Sequence, residues 1–119
     1  MYAIIIICSL YTFDTRNLKH PVNIHMDHVG AVIYLDYSPT GKEFVSGSYD
    51  KTIRIFECDK GHSRDVYHTK RMQRLTMVKW SLDSKYVFSA SDEMNIRIWK
   101  ARASEKLGPV SIMLFKNVI

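Results

Sequence analysis

Ser46-Gly47-Ser48-Tyr49-Asp50-Lys51-Thr52-Ile53-Arg54-Ile55-Phe56 aligns without a gap on Ser89-Ala90-Ser91-Asp92-Glu93-Met94-Asn95-Ile96-Arg97-Ile98-Trp99, keeping both serines and the whole Ile-Arg-Ile core. The offset is 43 residues, and the same offset separates the pairs Phe13-Asp14, Phe56-Glu57 and Trp99-Lys100, each of which closes an apolar run. A repeat of roughly 40–45 residues with an aromatic-acidic pair ending its third strand is the mark of β-propeller blades. The expected fold is therefore all-β. It should hold about two four-stranded antiparallel blades plus part of a third, in an incomplete ring. Propellers close about 4–8 blades around an axis, and 119 residues at this period hold two repeats and the end of another.

Working outward, Ala31–Tyr37 reads as an inner strand, Ser38-Pro39-Thr40-Gly41 as a turn, and Glu43–Ser48 as the second strand. Thr52–Phe56 is the third strand and Arg64–His68 the outer one, so residues 27–68 make a complete blade. Residues 69–100 repeat that order through Leu75–Trp80, the turn Ser81–Ser84, Lys85–Ser91 and Asn95–Trp99, without an outer strand. Upstream, Leu10–Phe13 and Pro21–Met26 read as the end of an earlier blade over residues 10–26. Residues 1–9 form an apolar extension, too short for a membrane helix and without the basic start of a signal peptide; a strand, or sequence from an imperfectly bounded gene model, is expected there. Residues 101–119 are a tail in which 101–107 has helix-forming composition ended by Gly108-Pro109. Both ends of such a piece present open strand edges and an unstacked apolar face.

The formal charge of +5 suits an acidic partner such as nucleic acid, although a solvated basic surface explains it equally. Cys8 and Cys58 have no partner spacing for metal or a disulfide framework, and no Asn-x-Ser/Thr site is present, which together fit a reducing compartment. His20, His25, His28, His62 and His68 lack paired ligand spacing. Gly41-Lys42-Glu43 lacks the flanking residues of a phosphate loop. No metal, cofactor or catalytic residue is expected.

Leu10-Tyr-Thr-Phe-Asp14, His25-Met-Asp-His-Val29, Asp36 through Ser46, Tyr67 through Gln73 and Ser91 through Arg97 together resemble the WD repeat and SOF domain-containing protein family of DDB- and cullin-four-associated factors. The likeness covers Leu10 to Gly108 and corresponds to the last blades of that propeller. Trp99-Lys100 with Ala103–Gly108 resembles the entry to its basic SOF region, and Pro109–Ile119 departs from it. The resemblance implies a nucleolar scaffold of the small-subunit processome, working with a small nucleolar ribonucleoprotein on pre-ribosomal RNA. It also implies a second role as a substrate receptor of a cullin-four ubiquitin ligase.

Residue by residue, WD blades carry a His, Ser, Asp and Trp in a buried hydrogen-bonded chain. His28, Ser46 or Ser48, and Asp50 match in one blade, where Phe56 replaces the Trp; Ser89, Glu93 and Trp99 match in the next, where Arg71 stands in place of the His. These residues are expected to be structural. Phe13-Asp14-Thr15-Arg16 resembles the Trp-Asp-x-Arg box that docks such receptors on the ligase adaptor. Only this copy keeps both charges, because Glu57-Cys58-Asp59 lacks an Arg and Lys100-Ala101-Arg102 lacks an acid. An ordinary blade turn with a local ion pair explains the four residues equally. Lys70, Arg71, Arg74 and Lys79 fall where the family connects one blade to the next, so several could share an axial rim able to hold RNA phosphates; solubility is the simpler explanation, and no aromatic platform stands beside them in sequence.

Overall fold

The computed structural model describes residues 2–6, 8–68, 74–92 and 94–102. Strands β1 (Tyr2–Ile6), β2 (Ser9–Phe13) and β3 (Asn23–His25) form one sheet. Strands β4 (Val32–Tyr37), β5 (Glu43–Ser48), β6 (Ile53–Glu57) and β7 (Ser63–Tyr67) form a second, in that order. A third holds β8 (Leu75–Trp80), β9 (Tyr86–Ser91) and β10 (Ile96–Lys100). Every pairing is antiparallel. The open, incomplete ring read from the repeat is thus the observed architecture, with strand limits within two residues of the expected ones.

One boundary differs. Residues set apart in sequence as an N-terminal extension are built into the first blade: β1 pairs with β2 from Tyr2↔Phe13 to Ile6↔Ser9. A run of β-branched residues beside an unpaired strand edge gains a full ladder of backbone hydrogen bonds by folding back on it. Beyond Arg102, the helical reading of 101–107 and the SOF-like stretch lie outside the described residues.

The repeat is visible in backbone geometry as well as in sequence. Four hairpin turns close with the N–H of their fourth residue on the carbonyl of their first: Gly41 on Ser38, Lys51 on Ser48, Ser84 on Ser81, and Met94 on Ser91. Each fourth residue is left-handed, with φ of 73° at Gly41, 68° at Lys51, 61° at Ser84 and 65° at Met94. This is the three-residue hairpin built on a type I turn, whose twist suits the flanking strands and whose last position favours glycine. Only Gly41 has the residue that the geometry prefers.

Packing follows from strand periodicity. Along β5 and β6, Phe44 and Phe56 project to one face, where they join Leu10, Val32 and Cys58 in a core against the first blade. Val45, Ile53 and Ile55 project to the other face and pack on Leu75, Val78, Trp80 and Val87 of the last blade. Successive side chains of a strand alternate between faces, so a sheet covered on both sides buries nearly every residue. The last blade is covered on one side. Its other face opens as a depression of about 730 Å³ lined by Met77, Lys79, Phe88, Ala90, Leu82 and Ile96, among others.

Candidate interaction site

Each blade turns a corner just after its third strand, and these corners carry the charged residues singled out in sequence. At the first, the Arg16 backbone N–H donates to Asp14 Oδ1 at 2.9 Å, and Nε and Nη2 reach the two carboxylate oxygens at 3.4 and 3.5 Å. Asn17 N–H closes the corner on the Asp14 carbonyl at 3.0 Å. Those donated bonds hold the Asp14 carboxyl below its ordinary pKa. Arg16 remains 89% exposed, so its guanidinium is oriented without being consumed by the fold. Phe13 is half-buried at the end of β2.

The other two corners solve the same problem differently. Glu57 pairs with Lys60 at 2.9 Å, a cation one residue beyond the triplet considered in sequence. Arg102 finds its acid across the blade boundary: Nη2 lies 3.3 Å from Glu43 Oε1, while Arg64 Nη2 holds Glu43 Oε2 at 2.7 Å and the Ala101 carbonyl at 2.8 Å. Sequence alignment of the three corners could not show this, because Glu43 lies in another strand of another blade.

The buried chain divides between two blades. His28 Nδ1 lies 3.0 Å from Asp50 Oδ2, and His28 Nε2 lies 2.7 Å from Ser46 Oγ. Burial pushes the His28 pKa down even though Asp50 pulls it up, which leaves a neutral ring at pH 7. A carboxylate only accepts, so Nδ1 carries the proton and Nε2 accepts from the Ser46 hydroxyl. Asp50 also receives the Thr52 hydroxyl, the Thr52 N–H at 2.9 Å and the Val29 N–H at 3.2 Å. Burial opposes ionisation of Asp50, but these donors outweigh it and lower its pKa. Ser48 takes a separate task, donating to the Ala31 carbonyl at 2.9 Å. In the last blade, Trp99 Nε1 donates to Ser89 Oγ at 2.9 Å, while its ring stacks on Tyr67 with centroids 5.0 Å apart. Glu93 lies outside the described residues. The serine, histidine and aspartate thus line up in the order of a hydrolytic triad, but Ser46 is wholly buried and no substrate carbonyl can reach it.

Asp27 was not singled out in sequence. Its carboxylate accepts Ser63 N–H at 2.7 Å and Ser63 Oγ–H at 2.8 Å, with His62 Nδ1 at 3.2 Å, tying the segment that enters the middle blade to its outer strand. An aspartate beside His28 offers no pattern that marks this role.

Of the expected basic rim, Arg74 and Lys79 are the members that the structure describes, and these two lie apart. Lys70 and Arg71 lie outside the described residues. Arg74 sits at the start of β8, whereas Lys79 lies near its other end, about 16 Å away at a strand's rise of ~3.3 Å per residue, where it lines the open face. Arg74 instead meets a residue that sequence order hid. Its guanidinium carbon lies 5.3 Å from the ring centre of Tyr49, in the β5–β6 turn of the preceding blade, and its Nε donates to Asp92 Oδ2 at 3.0 Å.

Among the described residues, no group of three His, Cys, Asp or Glu side chains could hold a metal ion. None of their helices is long and apolar enough to cross a membrane. Cys8 and Cys58 are free thiols.

Comparison with known proteins sets this geometry in context. The model of the WD domain, G-beta repeat, matches residues 19–57 and 59–100. DDB1- and CUL4-associated factor 13 of Danio rerio is 71% identical over 103 residues, 87% of this chain and 23% of that relative. The Homo sapiens protein of the same name is 69% identical over 91 residues, 76% of this chain and 20% of the relative. Protein SOF1 of Saccharomyces cerevisiae is 54% identical over 98 residues, 82% of this chain and 20% of the relative. The chain therefore spans between a fifth and a quarter of the length of these relatives.

Proposed function

Because this chain belongs to the WD domain, G-beta repeat family, we propose that it is a non-enzymatic scaffold segment acting in small ribosomal subunit assembly. Its place is the nucleolar small-subunit processome, with processome proteins, a small nucleolar ribonucleoprotein and pre-ribosomal RNA as partners. The observation that supports the reading is the identity shared with Protein SOF1 and with DDB1- and CUL4-associated factor 13 through both repeats. The geometry is compatible with it: polar networks are spent on turns and blade contacts, and the exposed groups are those of a binding surface. The test is sedimentation of the tagged chain from nuclear extract. Co-migration with particles carrying the small nucleolar RNA is expected, and migration at the top of the gradient in every salt condition would remove the reading.

A second role is favoured by one corner. Arg16, exposed and braced by Asp14, suits docking on an acceptor-rich protein surface, and the relatives' name points to DDB1 as the adaptor. Phe13, Asp14 and Arg16 would form that contact. Arg16→Ala should reduce capture by purified DDB1 at least tenfold while leaving the thermal midpoint unchanged. Equal capture would dismiss the ligase role for this corner.

A further inference from the structure

We propose that Tyr49, Arg74 and Lys51 form a stacking site for one unpaired base of an RNA strand, at the junction of the middle and last blades. The inference rests on the ribosome-assembly reading for its ligand class. It keeps Arg74 from the expected basic rim and adds Tyr49 and Lys51, which that rim did not include.

Three features of Arg74 lead to it. First, the guanidinium is held in place: Tyr49 lies under it at 5.3 Å, and Asp92 takes its Nε at 3.0 Å. A cation over an aromatic face and a charge-assisted hydrogen bond together restrain a side chain that would otherwise be free to swing. Second, Asp92 engages only Nε, so both Nη amino groups lack a hydrogen-bond partner among the described residues. Third, the pair is accessible, with Arg74 side chain 61% and Tyr49 51% exposed. Structural ion pairs that merely staple blades here are far less open: Arg64 with Glu43 is the contrasting case, both side chains being largely buried.

A guanidinium held over a tyrosine ring and open to solvent is chemistry suited to a nucleobase. Single-stranded RNA is read by stacking bases on aromatic rings or Arg planes, with free amino donors turned to base edges or phosphate. Lys51 sits two residues past Tyr49 in the same turn, exposed and without an ion pair among the described residues, and supplies the cation for a neighbouring phosphate in this proposal. An acidic peptide would use the charges but gain little from the ring, so RNA is the occupant that uses all three side chains.

The test is binding of a fluorescein-labelled twelve-nucleotide oligouridylate to the 119-residue chain, followed by anisotropy across a series of KCl concentrations. Tyr49→Ala and Arg74→Ala should each weaken binding about tenfold, the scale of one stacked base. Tyr49→Phe should bind like the parent. Arg74→Lys keeps the charge, so the salt slope should hold while affinity falls several-fold. Lys51→Ala should lower the salt slope by about one. Circular dichroism and a parental thermal midpoint check that each variant folds. Folded Tyr49→Ala and Arg74→Ala variants that bind like the parent overturn the proposal. So does a twelve-residue oligoglutamate that displaces the RNA at equal concentration with the same dependence on Tyr49. If the chain joins pre-ribosomal particles yet binds RNA without regard to Tyr49, the stacking site alone falls. If it binds through Tyr49 but never joins the particles, the processome reading alone falls.

Discussion

Strands β5 and β9 occupy equivalent positions 43 residues apart, yet one buries five consecutive residues from Phe44 to Ser48 and the other alternates from Tyr86 to Ser91. The sequence patterns are close relatives; the surroundings are not. β5 has a blade stacked on each face, whereas β9 has one neighbour and an open depression. Burial in a propeller is therefore a property of position in the stack, added to what each strand's own alternation supplies. The polar networks follow the same division. The middle blade encloses a complete His28–Asp50–Thr52 cluster with Ser46, while the last blade keeps a half-buried Trp99–Ser89 contact.

If stacking sets the stakes of each polar contact, matched truncations in the two blades should differ in cost. Asp50→Ala strips His28, Thr52 and Val29 of their acceptor inside a closed core and should cost about 3 kcal/mol of stability, from the penalty of leaving buried polar groups unpaired. Ser89→Ala should cost about 1 kcal/mol, the net value of an ordinary hydrogen bond. Urea unfolding of the two variants measures both. Equal losses would break the contrast between the blades.

Phe56→Trp puts into the middle blade the residue that the last blade has 43 positions on. Phe56 is wholly buried and stacked on Phe44 at 5.3 Å, so the larger ring should cost about 1–3 kcal/mol by overpacking. A stabilised variant would show instead that the blade retains a slot for indole and that Phe56 is a local deficit.

Acid should also separate the two regions. Burial lowers the pKa of His28 and of His25, and both rings lie against Phe56 of the middle blade. Below pH 6.5 the unfolded chain takes up protons that the folded imidazoles refuse, so stability falls from there until the folded rings titrate as well. Between pH 7.5 and 5.5, amide protection factors, corrected for the slower intrinsic exchange in acid, should fall more in β5 and β6 than in β8 and β9, because residues 74–102 contain no histidine. A uniform loss of protection would count against the assignment.

The smallest effect sharpens the comparison at the hairpins. Gly41 and Ser84 hold the same left-handed position in equivalent turns. Ser84→Gly should stabilise the last blade by about 0.5 kcal/mol, the relief of αL strain less the extra freedom of glycine in the unfolded chain. Thermal unfolding reads the sign.

Much of this was legible before folding. Phe13, Phe56 and Trp99 set the period, Ile53–Ile55 and Ile96–Ile98 set the third strands, and Ser38–Gly41 and Ser81–Ser84 set the turns, because these signals depend on neighbours in sequence. The candidate site was legible only where its parts share a turn, as Asp14 and Arg16 do. Arg102 with Glu43, Asp27 with Ser63, and Arg74 with Tyr49 join residues of different strands or blades, and no local pattern links them. Lys79 shows the converse, being close to Arg74 in sequence and displaced along an extended strand from it.

By itself, then, the sequence determined the repeat, its strand and turn order, and the all-β class, since period, alternation and turn chemistry are short-range properties of the chain. Tertiary structure alone decided which blade is buried on both faces, which acid each arginine meets, and that Tyr49 lies under Arg74. Those outcomes depend on distances between blades, which are fixed by the stacking of side chains from residues far apart in the chain.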